Sequence, residues 1–321
     1  MVTLGSDGHL YEVSGENWGK LPDDWSYKEA TAVAVDSKDN VYVFNRGDHP
    51  MIIFDRKGNY LRSWGEGVFN TPHGVTIGPD DSVYCADNVD HTVRKFTTDG
   101  KLLMTIGSKD NPSPAWSGTP LNRPTHLAID PQDGNLYVAD GYGNARVHKY
   151  APDGKLLFSW GESGTDPGQF NVVHNIDTDD DGWVYVADRD NRRIQIFDSN
   201  GRYETQWNNL SRPACLFVNS KADELVYVGE YFAGDPGVFS NSPLTVRLGP
   251  RITIFDRTGK VITRLSDEPY GDEPGRFYSP HGITVDSRGD IYLAEVSWSE
   301  YEPILGLHRE LRSMQKLVRK N

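Results

Sequence analysis

Three histidines, His73, His174 and His281, hold one position in alternate copies of an internal repeat. They lie in Pro72-His73-Gly74-Val75, Val173-His174-Asn175-Ile176 and Pro280-His281-Gly282-Ile283, and the intervening copies carry Thr31, Thr125 and Ala214 there. Three neutral imidazole nitrogens with an open fourth position are the ligand set of a catalytic zinc. Iron, manganese or cobalt accepts the same donors, because ligand type does not fix the metal. The plain alternative is three satisfied histidines plugging a channel and bonding backbone carbonyls.

A second set of polar groups follows the same register. Fourteen residues beyond each histidine stands an acid, Asp87, Asp188 or Glu295, and Asp140 takes nearly the same place in another copy. These acids belong to the repeat, so they are expected to cap neighbouring turns. Just beyond them come Arg46 in Asn45-Arg46-Gly47-Asp48-His49, Tyr142 in Asp140-Gly141-Tyr142 and Arg189 in Asp188-Arg189-Asp190. Two arginines near a dication predict a small anionic substrate, since a guanidinium pairs with a carboxylate through two parallel bonds. A tyrosine among cations is a candidate base, because nearby positive charge lowers a phenol's pKa from about 10. The bland alternative is arginines paired with Asp48, Asp188 or Asp190 and a tyrosine packed in a loop.

The elements that would position these groups come from the repeat itself. Its clearest copy, residues 176–207, contains Val184-Tyr185-Val186-Ala187-Asp188, then Arg193-Ile194-Gln195-Ile196-Phe197 and Asp198-Ser199-Asn200-Gly201. Further copies begin near Thr31, His73, Thr125, Ala214 and His281. Each holds several short runs of β-branched and aromatic residues cut by Asp-Gly-type turns, which are strand and hairpin signals. About four strands per copy and six copies predict an all-β, six-bladed propeller, with every second blade aiming an imidazole at the axis about 120° apart. The N-terminal Gly8–Val13 and the C-terminal Gln315–Arg319 are expected to complete the last blade, which makes residues 1–321 a single closed domain. A helical period is visible only over His308–Lys320.

Composition narrows the function. A net charge of −13 excludes nucleic acid and anionic membrane surfaces as natural partners. No run is long enough to cross a bilayer, and residues 1–20 lack a signal-peptide pattern, so the expectation is cytoplasmic. Cys85 and Cys215 fall in different blades and are not expected to pair. The longest departures from the repeat, Ser108–Asn122 and Tyr231–Arg251, are loops of the kind that rim a site. His126 lies one residue past the histidine slot and is expected to face elsewhere in the channel. His49 and His91 fall on loops, and His9, His148 and His308 read as surface.

These residues, in this order, resemble the peptidyl-α-hydroxyglycine α-amidating lyase family, a six-bladed propeller of NHL-type repeats. The likeness spans nearly the whole chain and rests on Arg46-Gly47-Asp48-His49, Pro72-His73-Gly74, Asp140-Gly141-Tyr142, Trp160-Gly161-Glu162, Pro167-Gly168-Gln169-Phe170, Ala187-Asp188-Arg189 and Pro280-His281. The resemblance implies zinc on His73, His174 and His281, Tyr142 as general base, and Arg46 and Arg189 in the substrate pocket. It further implies cleavage of a carbinolamide C–N bond to an amide and glyoxylate. A structural calcium in that family uses backbone carbonyls matching Val33 and Val75, plus an aspartate where this chain has Gly282. Two other readings stand beside the lyase: a hydrolase of an ester, lactone or amide using metal-bound hydroxide, and a non-catalytic NHL-type interaction propeller.

Overall fold

The computed structural model describes residues 2–6, 8–14, 18–220, 222–233, 248–266, 268–306 and 309–320. The centre of the long insertion, 234–247, and His308 therefore lie outside the described residues. The architecture is a six-bladed β-propeller, almost entirely β, built from six antiparallel sheets. The chain forms two compact units, residues 64–209 and residues 1–63 with 210–321.

The unit 64–209 carries blades 2, 3 and 4, which begin at the strands Pro72–Ile77, His126–Ile129 and Val173–Thr178. In each blade four strands pair in sequence order. The second strands, Val83–Asp87, Leu136–Asp140 and Val184–Asp188, are buried along their full length. Strand alternation explains this burial, because successive side chains serve different neighbours. Leu136 and Val138 pack with Tyr84 and Ala86 of blade 2, whereas Tyr137 and Ala139 pack with Val184 and Val186 of blade 4. A strand sandwiched in this way reads as a continuous apolar run, and each large side chain so buried stabilises the unit by roughly 1.5–3 kcal/mol.

The tryptophan ending a blade is also accommodated by sequence. A Cβ at Gly201 would lie 2.8 Å from the Trp160 ring, and one at Gly100 would lie 2.8 Å from the Trp64 ring. Both glycines have positive φ (74° and 87°), so the Asp-x-x-Gly turn needs its glycine twice over, for conformation and for the indole beside it.

The other unit carries blades 1, 5 and 6, beginning at Ala30–Val35, Arg212–Asn219 and Pro280–Val285. Blade 6 has five strands in the order Thr3–Ser6, His9–Val13, Met314–Arg319, Ile291–Glu295, Pro280–Val285. Both ends of the chain thus enter one blade as expected. The outermost strand, however, is Thr3–Ser6, and His9–Val13 is the strand inside it. The helical expectation is corrected: residues 314–319 form a strand paired with Ile291–Ala294, and the helix is Ser297–Leu305. Leu317 is fully buried beside Ile291, and this tertiary packing overrides the local period. Cys85 and Cys215 are free and buried.

Gly201→Ala is expected to destabilise the protein by about 1–3 kcal/mol more than Gly168→Ala. Both positions have positive φ, but nothing lies within 4 Å of a Cβ at Gly168. Urea unfolding of the two variants isolates the contact with Trp160.

Candidate metal centre

Every blade from 2 to 6 carries a buried acid at or next to the end of its second strand, and that acid grips the loop leading into the same blade's first strand. Asp87 accepts the Asn70 and Thr71 amides at 2.6 and 2.9 Å, Asp140 the Asn122 amide at 2.9 Å, and Asp188 the Asn171 amide at 2.7 Å. Glu230 holds the Ser211 amide, and Glu295 the Tyr278 amide at 2.6 Å. Burial pushes the Asp188 and Glu295 carboxyls above their ordinary range, although the hydrogen bonds they accept oppose this. The acids are therefore structural clamps, and what they set is where each first strand begins.

At those strand starts sit the histidines. His73, His174 and His281 are 2 %, 1 % and 4 % exposed, and within the unit 64–209 the His73 and His174 rings lie 5.0 Å apart, centroid to centroid. His73 Nδ1 lies 2.7 Å from the Thr125 carbonyl oxygen, and His281 Nδ1 lies 2.6 Å from that of Thr31. A carbonyl oxygen only accepts, so both rings carry their proton on Nδ1 and present the Nε2 lone pair. This is the arrangement that orients a metal-ligating imidazole. The residue opposite is also fixed, since the Thr125 hydroxyl donates to the Val173 carbonyl at 2.9 Å and the Thr31 hydroxyl to that of Phe44 at 3.1 Å.

Tyr142 joins the first two histidines. Its hydroxyl lies 2.9 Å from His174 Nε2 and 3.3 Å from His73 Nε2. Gly141 brings the tyrosine there: its ideal Cβ would lie 1.8 Å from the Val173 carbonyl oxygen, so no larger residue fits. Arg189 Nη1 approaches the Tyr142 hydroxyl at 3.4 Å, while its Nε and Nη2 lie 3.2 and 3.3 Å from the Asp190 carboxylate. The unit 64–209 thus gathers His73, His174, Tyr142 and Arg189 in one place. Arg46, in the other unit, contacts the Glu29 carboxylate at 2.6 Å. Glu29 is 2 % exposed and also accepts the Ser299 amide and hydroxyl.

Several sequence expectations need correction or completion. His148 is not on the surface: it is fully buried, with Nε2 3.1 Å from Asp140 and Nδ1 2.7 Å from the Ser159 hydroxyl. That connectivity matches a hydrolytic triad, but the repeat explains it. His148 pairs with the residue two before the blade's acid, as do Gln195, Thr253 and Gln315, and each of these also bonds its own acid. The expected calcium set is incomplete. A Cβ at Gly282 would meet the Ala32 Cα at 2.5 Å, which leaves no room for an acidic side chain, and calcium takes 6–8 oxygens. The loop Ser108–Asn122 does border the site, since the Trp116 amide donates to the Gly143 carbonyl at 2.7 Å. The sequence reading passed over Arg123, whose guanidinium carbon lies 5.3 Å from the Tyr142 ring. It falls outside the repeated positions, so slot comparison does not mark it.

His126 packs its ring beside Gly74, with Nδ1 buried and unpartnered. Burial lowers its pKa to about 4.

Comparison with known proteins places these features in a family context. The NHL repeat family matches residues 69–96 and 121–150. The human protein named NHL repeat-containing protein 3 is 34 % identical over 331 residues, covering 96 % of this chain and 87 % of that protein. A fruit-fly protein (Drosophila melanogaster) named peptidyl-alpha-hydroxyglycine alpha-amidating lyase 1 is 29 % identical over 310 residues, covering 83 % of this chain and 55 % of that one. Among solved structures, a streptogramin B lyase superposes with a TM-score of 0.58 at 14 % identity, over 98 % of this chain and 87 % of that one, which supports the propeller fold.

The His126 shift has a pH consequence. Its folded-state pKa lies below the unfolded value of about 6.5, so its contribution to stability is complete above pH 6.5 and falls away as pH drops towards 4. At pH 5 this amounts to at most about 2 kcal/mol. The gap in urea midpoint between pH 7 and pH 5 should therefore be narrower for His126→Asn than for the wild type.

Proposed function

This chain belongs to the family of NHL repeat-containing protein 3, and from that premise and its histidine cluster we propose that it is a metal-dependent carbon–nitrogen lyase. Its substrate class is a small carbinolamide bearing an anionic group, and its products are an amide and an oxo acid such as glyoxylate. One observation carries this reading: the backbone holds the His73 and His281 rings by Nδ1, and within the unit 64–209 a tyrosine hydroxyl touches His73 and His174 at Nε2. A structural plug of the interior needs no tyrosine at Nε2.

His73, His174 and His281 would hold the ion, and zinc suits three neutral imidazoles with one position left open. When bound, such an ion supplies Lewis acidity that lowers the pKa of a hydroxyl at the open position. The rest of the chemistry belongs to side chains. Tyr142 Oη adjoins whatever the two Nε2 atoms bind. As phenolate it takes the proton of the substrate hydroxyl while the C=O bond forms and the C–N bond breaks. As phenol it returns that proton to the departing amide nitrogen, so the step balances without another reagent. Arg189 Nη1, at 3.4 Å, stabilises the negative charge on that oxygen. Arg46 is assigned a weaker role in binding, because the buried Glu29 already engages its guanidinium.

A second reading has its own support. The identity of 34 % to a relative named for its repeats exceeds the 29 % to the fruit-fly lyase. A non-catalytic binding propeller that keeps the histidines as structure fits that ordering.

Elemental analysis of untagged protein beside a His174→Ala control separates the two. The lyase reading expects about one zinc per chain, absent from the control, and glyoxylate release from α-hydroxyglycine amides. Absence of metal in both samples, with none taken up on adding zinc, supports the binding propeller. Tyr142→Phe should retain the metal and lose at least 100-fold in turnover; near-normal turnover removes Tyr142 from the mechanism. Arg46→Ala strands the buried Glu29 carboxylate and should cost about 3–5 kcal/mol of stability, seen as a lower urea midpoint.

A further inference from the structure

Arg46 contacts Glu29 at 2.6 Å, and Arg189, beside Tyr142, lies 3.2 Å from Asp190. Arg123 differs from both. It is exposed, its guanidinium carbon lies 5.3 Å from the Tyr142 ring, and no described ion pair includes it. Its Nε donates to the Asn88 side-chain oxygen at 3.0 Å, which orients the guanidinium plane and leaves both terminal nitrogens for another acceptor. In a chain of net charge −13, a fixed arginine without a carboxylate is a poor candidate for a structural cation.

The backbone around it is built at a cost. Arg123 has φ 63°, a left-handed conformation, and precedes Pro124, a position at which extended backbone is favoured. Non-glycine residues held in this region cost about 1–3 kcal/mol and persist where the surroundings impose them. Here the Arg123 amide donates to His91 Nδ1 at 3.1 Å, and the preceding Asn122 amide is gripped by both oxygens of Asp140. Two residues further on, the Thr125 carbonyl holds His73. One short segment therefore fixes both a metal-ligand candidate and a free guanidinium. A glycine would satisfy the same backbone more easily but would supply no charge.

We propose that Arg123 receives the anionic group of the substrate, next to Tyr142, and sets the preference for acids over their neutral counterparts. The inference deepens the lyase reading and rests on it for the identity of the reacting centre. A carboxylate would take end-on bonds from the two terminal nitrogens of Arg123, the geometry that distinguishes arginine from lysine. Arg189 stays with Asp190 and the Tyr142 hydroxyl.

The test is calorimetric titration of the full chain, supplied with zinc, with glyoxylate and with methyl glyoxylate. Arg123→Gln should weaken glyoxylate binding at least 10-fold, leave the ester unchanged, and keep the thermal midpoint and metal content of the wild type. Arg123→Lys should recover part of the loss. Arg123→Gly, which relaxes the backbone, should lose affinity just as Arg123→Gln does, so a folding defect cannot imitate the result. Equal glyoxylate affinity in wild type and Arg123→Gln, or no preference of the wild type for acid over ester, overturns the proposal. Turnover that is indifferent to Arg123 ends this assignment alone, whereas an Arg123-dependent acid preference in a protein that takes up no metal keeps it and ends the lyase reading.

Discussion

The carboxylate at or next to the end of each second strand, from blade 2 to blade 6, is the interaction on which the site depends. A strand start is normally frayed, because its first amides have no partner within the sheet. Here Asp87, Asp140, Asp188, Glu230 and Glu295 satisfy the amides of the entering loop from inside the same blade. Each acid is fully buried, so losing its partners would leave a desolvated charge at a cost of several kcal/mol. The loop is therefore pinned, and His73, His174 and His281 follow it by three or fewer residues. The placement of the histidines is inherited from an element of the fold that repeats from blade to blade.

Much of this was legible in the residues. The runs Val-Tyr-Val-Ala-Asp and Arg-Ile-Gln-Ile-Phe announce strands, their number announces the blades, and the alternation of His73, His174 and His281 with Thr31, Thr125 and Ala214 announces a cluster. What stayed hidden depends on contacts that a period does not encode. His148 reads as surface because polar residues in outer strands usually are, yet the buried Asp140 beneath it makes the slot polar and dry. Residues 315–319 offered both a strand of the last blade and part of a helical period, and the seat of Leu317 beside Ile291 decides for the strand. Arg123 has no counterpart in other blades, so repetition, the strongest signal in the chain, passes over it.

The histidine alternation has a physical reason. A ring that presents Nε2 needs an acceptor for Nδ1, and the Thr125 and Thr31 carbonyls provide it for His73 and His281. Both acceptors belong to slots whose own side chains are small and bonded elsewhere, so the backbone oxygen remains available. A histidine in every slot would crowd the cluster. The glycines after His73 and His281 belong to the same design, because a Cβ at Gly74 or Gly282 would meet the facing strand's backbone at 2.5 Å. The absence of an acid at 282 thus goes with the close strand approach in this chain.

Charge around Tyr142 follows from the same economy of positions. The Tyr142 hydroxyl meets His73 and His174 at Nε2 and Arg189 at Nη1, so its hydrogen-bonding positions are taken by groups of its own unit. Arg189 and Arg123 stand at 5.6 and 5.3 Å from that ring, and only the first is offset by a carboxylate among the described residues. The left-handed backbone of Arg123 keeps its guanidinium fixed relative to the Thr125 carbonyl that orients His73. One three-residue segment, 123–125, thus carries both a guanidinium beside the Tyr142 ring and the carbonyl that orients His73.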